Sequence, residues 1–164
     1  MKKLDRGVLE AARHGIERSP KWPGIRKSFL KANPKCAACG KDAKPGGLQA
    51  HHRIPFHYCI ALKRPDLELD ERNLIALCED EKGIKVENHH LLVGHLDDFK
   101  SSNLEVANDA AKTYNGMTAK QIRNNKDWQK EEKNKMKPLN AMTTTDKYKL
   151  RKLMDSLYPL EEKK

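Results

Sequence analysis

Six of the seven histidines and all four cysteines of this 164-residue chain fall between positions 36 and 95. Thiolates and imidazoles at that density are metal ligands, and ligands drawn from separated segments force the chain to fold so that they meet. The rest of the sequence makes such a brace useful. Hydrophobic residues supply 37% of the chain and aromatics 5%, so the apolar core is thin and a structural metal contributes to folding. No stretch approaches the ~20 apolar residues of a membrane span, and the start Met1-Lys2-Lys3-Leu4-Asp5-Arg6 lacks the apolar region of a signal peptide. A cytoplasmic protein without membrane contact is expected. In that reducing compartment clustered cysteines are ligands rather than disulfides.

Cys36-Ala37-Ala38-Cys39 has the spacing of a zinc knuckle, in which two thiolates reach one ion from a tight turn. Cys78, at the end of an apolar run, supplies a third ligand. His89 is the choice for the fourth, with Cys59 as its competitor. His51 and His52 occupy successive strand positions, so their side chains start towards opposite faces. At a strand end one of them can ligate a cation while its neighbour faces a water.

Trp22, Ile25, Phe29 and Leu30 follow helical spacing, with Pro23 tolerated in the first turn, and predict a helix ending near Asn33-Pro34. A short helix is also expected before Ser19-Pro20. Pro45-Gly46-Gly47 breaks the chain. Leu48 to His52 and Leu74 to Leu77 read as two strands able to pair antiparallel, and residues 53–70, with Pro55 and Pro65, read as a long loop between them. Asp80 to Glu87 reads as a polar, exposed stretch. A helix is expected from about His89, with Leu92, Leu96 and Phe99 on one face. Thr118 with Gln121, and Thr143 with Asp146, have capping-box spacing and open two further helices. The last places Leu150, Leu153, Met154 and Leu157 on one face. No internal repeat is found.

Charge is uneven. Residues 1–35 hold ten Lys and Arg against three Asp and Glu, residues 36–100 nine against eleven, and residues 101–164 fourteen against nine. The ligand-rich centre thus lies between two cationic flanks, which suit phosphate binding without sequence readout. The chain divides into a basic N-terminal helical arm (1–35), a metal-braced core (36–110) and a basic helical extension (111–164).

Three runs carry a resemblance. Leu48-Gln49-Ala50-His51-His52-Arg53-Ile54-Pro55-Phe56, then Leu67 through Asn73-Leu74-Ile75-Ala76-Leu77-Cys78, then Asn88-His89-His90 through Gly94-His95-Leu96 resemble, in that order, an HNH endonuclease of the phage and bacterial zinc-containing type. The similarity extends over roughly residues 18–110. It implies an α+β chain with a small ββα-metal core, a β-hairpin plus helix with a zinc knuckle, flanked by N- and C-terminal helices. It implies His51 and His90 as ligands of a catalytic divalent ion, His52 as general base, Asn73 as the residue that holds the hairpin loop, and Cys36, Cys39, Cys78 and His89 as zinc ligands. His95 is a third candidate ligand of the catalytic ion. Five residues past His90, it is rotated from it by about 140° on an ideal α-helix, so it joins the ion only if the helix starts late and is otherwise a packed histidine. His57 and His14 read as loop or solvent histidines.

The activity implied is hydrolysis of DNA phosphodiester bonds, leaving 5′-phosphate and 3′-hydroxyl ends. Mg²⁺, Mn²⁺, Ni²⁺ or Zn²⁺ would serve as the catalytic cation, and Arg26, Lys27, Lys31 and Arg53 would contact the backbone. The rival reading is a zinc-stabilised nucleic-acid-binding module without catalysis. A structural zinc protein that binds other proteins is a third, and it leaves the charge unused.

Overall fold

The computed structural model describes residues 17–42, 47–79 and 88–161. The helix expected near the N-terminus, His14, most of the Pro45 breaker and the whole polar stretch at 80–87 lie outside them. The chain is α+β, a two-stranded antiparallel sheet surrounded by helices. Among the described residues no helix is long and apolar enough to cross a membrane.

Helix α1 (Trp22–Ala32) forms as its spacing predicts, with Pro23 in the first turn where no intrahelical N–H is needed. It ends where the Asn33 side chain and backbone both donate to the Phe29 carbonyl. Its buried Trp22 and Phe29 pack on Leu74 and Ala76. The Cys36 turn follows. Lys35 bridges Asp42, the Gly40 amide donates to the Cys36 carbonyl at 2.8 Å, and Gly40 sits at φ +67°, where a side chain would be strained. The Ala37 amide then donates to the Ala76 carbonyl at 2.9 Å, fastening the turn to the sheet.

Strands β1 (Leu48–His52) and β2 (Leu74–Cys78) pair with His52 opposite Leu74, His51 opposite Ile75 and Leu48 opposite Cys78. Strand alternation therefore splits the histidine pair. His52 lies with Leu74 and Ala76 on the α1 side, and His51 lies with Ile75 and Leu77 on the other, which packs on Leu92, Val93 and Val106.

Two expectations are corrected. The segment 53–70 is not a loop: it folds into α2 (Phe56–Ala61) and a 3₁₀ turn at Pro65–Glu68, and a second 3₁₀ turn, Glu71–Asn73, leads into β2. Pro55 starts α2 instead of breaking it. Burial of Ile54, Tyr58, Cys59, Leu62 and Leu67 against Met136, Leu150 and Met154 holds a segment that propensity alone would not.

The helix expected from His89 through Phe99 is also replaced. Only a π-helical turn forms, over His90–Gly94, and the chain reverses at Leu96 and Asp97, both with positive φ. The Asp97 amide reaches back to the Leu91 carbonyl at 3.0 Å and closes the turn. A second such turn, Asp109–Thr113, continues Val106–Asn108.

Both capping boxes are present, at the starts of α3 (Ala119–Asn124) and α5 (Thr144–Leu157), with α4 (Lys126–Lys135) between them. On α5 only Leu150 and Met154 are buried; Leu153 and Leu157 remain largely exposed, because the face that meets α2 is narrower than the apolar stripe. The buried Arg64 locks α5 down, donating to Asp66, to Asp155 at 2.8 Å and to the Tyr158 carbonyl at 2.7 Å. The C-terminal extension therefore shares a core with residues 54–67.

Candidate metal centres

Two groups of metal-ligating side chains form among the described residues, each with one donor atom per residue and all donors within 4.8 Å of one another: Cys36, Cys39, Cys78 and His89, and His51, His90 and His95. The hairpin and the segment following residue 88 feed both groups. His89 goes to one and His90 to the other.

The first group has the donor set of a tetrahedral zinc site. The Cys turn delivers two thiols, the end of β2 a third, and His89 closes the group with Nδ1 at 3.0 Å from Cys78 Sγ and 3.8 Å from Cys36 Sγ. His89 is fully buried, and its Nε2 lies 3.1 Å from the Met117 carbonyl. A carbonyl only accepts, so Nε2 carries the hydrogen and Nδ1 turns its lone pair on the thiols, the arrangement that orients a ligating imidazole. The hydrogen bond from Cys78 brings Cys36 down to about 3 against the opposing effect of burial, and the same contact raises Cys78. Burial raises Cys39.

Cys59 takes no part. Fully buried, it donates to the Ile54 carbonyl at 3.5 Å, and burial pushes its thiol up to about 12, leaving it a small core residue.

In the second group the rings meet edge to face. Centroids lie 5.2 Å apart for His51 and His90, 4.8 Å for His51 and His95, and 4.8 Å for His90 and His95. The π-turn explains how His95 joins. Widening the turn towards an i→i+5 repeat brings residues five apart nearly over one another, where an α-helix would separate them. His95 Nδ1 donates to the Ser101 carbonyl at 2.8 Å, leaving Nε2 free to ligate. His51 Nε2 and His90 Nδ1 are buried and find no hydrogen-bond partner among the described residues, which is costly for polar atoms unless something else satisfies them.

Burial first, then the charges of His95 and His90, hold His51 well below the ordinary imidazole value. Burial and His90 bring His95 to about 3. Unprotonated rings are what a metal requires. Glu79 Oε2 lies 3.4 Å from His90 Nδ1. A Cβ on Gly94 would meet the His51 ring at 3.0 Å, so any other residue there obliges that imidazole to shift by a few tenths of an ångström.

His52 stands apart from this group. Its ring packs on Trp22 at 4.6 Å between centroids, and its Nε2 donates to the Glu68 carbonyl at 2.8 Å, leaving the lone pair on Nδ1. Burial, assisted by the nearby Arg18, lowers it to about 3. Asn73 is fully buried and spans the ends of the connection between the strands. Its Oδ1 accepts from the Ile54 amide at 2.9 Å, and its Nδ2 donates to the Ile54 and Leu67 carbonyls at 3.1 and 3.0 Å.

Of the cationic candidates, Lys27 and Lys31 are exposed on α1, and Arg26 donates to Gln49 at 2.9 Å. Arg53 turns inward to the Arg72 carbonyl at 3.4 Å and the Tyr158 ring. Sequence reasoning passed over Gly94, Glu79 and the carbonyls of Met117, Ser101 and Glu68. A glycine directly before His95 was the one legible signal among them, since backbone carbonyls leave no trace in composition. No family model, curated protein or solved structure matches the chain.

Proposed function

We propose that the protein is a metal-dependent DNA endonuclease of the HNH type, in which the hairpin and the π-turn form a ββα-metal core. The observation that carries this reading is the convergence of His51, His90 and His95, with His51 Nε2 buried and without a hydrogen-bond partner among the described residues, beside a separate Cys₃His group. Four donors close a structural site, whereas three leave coordination positions open for substrate and water. The net charge of +10 supports a polyanionic substrate.

His51, His90 and His95 would hold the catalytic ion, with Glu79 at hand to orient His90. An all-imidazole set favours Mn²⁺, Ni²⁺ or Zn²⁺ over Mg²⁺, which prefers oxygen ligands. When bound, the ion supplies Lewis-acid polarisation of the phosphate and stabilises charge on the departing oxygen. His52 is fixed by Glu68 with its lone pair at Nδ1. It takes a proton from water as the water oxygen bonds to phosphorus and the P–O3′ bond breaks; solvent then protonates the 3′-oxygen. Asn73 keeps the loop that carries Glu68 in register with β1.

The test is nicking of supercoiled plasmid with Mn²⁺. His52→Ala is expected to lower the rate by about 10²–10⁴-fold with zinc content kept and the chain still folded, at a lower melting temperature because a buried ring packed on Trp22 is lost. Full activity in that variant refutes the base.

One observation favours a second reading, a zinc-stabilised nucleic-acid-binding module without catalysis: His52 packs behind Trp22 outside the imidazole group. Binding of DNA with no cleavage by any of the four ions would establish it.

A further inference from the structure

Beyond both clusters, a cavity of about 220 Å³ lies between α2, the segment after His95 and the end of α4, its walls including His57, Lys100, Ser101, Ser102, Lys133 and Met136. Two lysines, a histidine, two serines and Tyr58, whose hydroxyl donates to the Lys137 carbonyl at 2.8 Å, line it, and no acidic residue does. The neighbouring carboxylate, Asp98, is occupied, accepting from the Lys100 amide at 3.0 Å and the Ser101 hydroxyl at 3.2 Å. Those bonds, with the charges of Lys133 and Lys100, hold Asp98 below its usual range.

Ser101 joins this cavity to the imidazole group, since its carbonyl accepts from His95 Nδ1 at 2.8 Å while the residue lines the cavity wall. The volume is below the ~300–1,000 Å³ of pockets for drug-sized ligands, yet holds on the order of seven waters at about 30 Å³ each. It fits a phosphate with part of its sugar.

We propose that this cavity is a phosphate subsite, receiving a backbone phosphodiester of the DNA strand beside the one engaged by His51, His90 and His95, with Lys100 and Lys133 supplying charge and Ser102 a hydroxyl donor. The subsite rests on the DNA-binding part of the proposed function and not on catalysis. Lys133 and Met136 come from the C-terminal extension, so the subsite gives that segment a part in substrate binding as well as in packing.

The test is DNA binding by the zinc-loaded full chain without added divalent ion, read as anisotropy of a labelled duplex over a salt series. Lys100→Ala/Lys133→Ala is expected to weaken binding about tenfold at low salt and to make the log–log salt slope shallower by about 0.9, the loss of one phosphate contact. Ser102→Phe fills the cavity without removing charge. It should weaken binding by a similar factor, and adding it to the lysine changes should cost little more, because all three act at one place. Inorganic phosphate, balanced against chloride at constant ionic strength, should compete better than chloride with the unsubstituted chain and no better with the double variant. Phosphate binding at the cavity together with duplex affinity that the double variant leaves unchanged would assign the cavity to free phosphate and overturn the strand assignment.

An unchanged slope in the double variant, or full affinity in Ser102→Phe, would overturn the subsite whatever cleavage shows. An altered slope in a protein that never cuts DNA would keep the subsite and remove the nuclease.

Discussion

The Cys₃His group and the three-imidazole group lie one residue apart along the chain at His89 and His90, yet they are built for different ends. The first has four donors, a fully buried imidazole and a backbone carbonyl fixing its tautomer. The second has three donors, two of them half-buried, and a carboxylate beside His90. Donor number and closure suit the first to bracing and, on the proposed reading, the second to reaction. The first also positions the second, because the Cys turn and β2 hold the start of the π-turn from which His90 and His95 extend.

The largest break in this comparison is expected from Cys78→Ser. Structural zinc contributes an apparent ~10–16 kcal/mol in small domains, as much as the whole ~5–15 kcal/mol stability of an ordinary one. Zinc content should fall to nothing and helical circular dichroism should collapse at room temperature. A folded, zinc-free protein would make the first group dispensable.

His51→Ala should do the reverse. Zinc and fold persist, while Mn²⁺-dependent cleavage falls by on the order of 10³-fold, the several kcal/mol that a catalytic ion supplies. Loss of zinc in this variant would show that the two groups are one unit.

Acid should reach the imidazoles next. His51, His52 and His95 are all held below their ordinary value in the folded chain. The unfolded chain therefore binds more protons below about pH 6.5, and stability present above that value is lost as pH falls towards about 3, each ring contributing up to ~1.4 kcal/mol per pH unit. Melting temperature and zinc content followed together separate the groups: the decline should begin while zinc is still bound. Stability that stays level until zinc leaves would count against buried neutral rings.

Gly94→Ala sharpens the comparison at lower cost. Its Cβ presses on the His51 ring, for about 1–3 kcal/mol of strain and a weaker second ion, with zinc content unchanged by elemental analysis. Thr143→Ala, far from both groups in sequence, removes the α5 cap for about 1 kcal/mol in a thermal melt, and cleavage should not change.

The amphipathic spacing of α1, the two strands and the capping boxes of α3 and α5 were legible because each is a local pattern. Opposite faces for His51 and His52 followed from strand alternation alone. The Cys₃His set was readable too, since donors of those types at those spacings have few other uses. The helical character of 53–70 was hidden, because Pro55 and Pro65 mark a break locally and only burial against α5 makes them starting points. His95 was hidden for a related reason. Its place depends on the pitch of one turn, and a π-turn is selected by the packing of Leu92 and Val93 and by the reversal at Leu96 and Asp97, not by residue preference.

The sequence by itself determined which donor atoms the chain owns and which stretches can be helix or strand, since both are properties of neighbours along the chain. The tertiary structure decided which donors share a site, which nitrogen of each ring faces it, and that Cys59 and His52 stay outside. Those outcomes depend on backbone carbonyls and packing faces brought together from distant positions, and such contacts exist only in the folded chain.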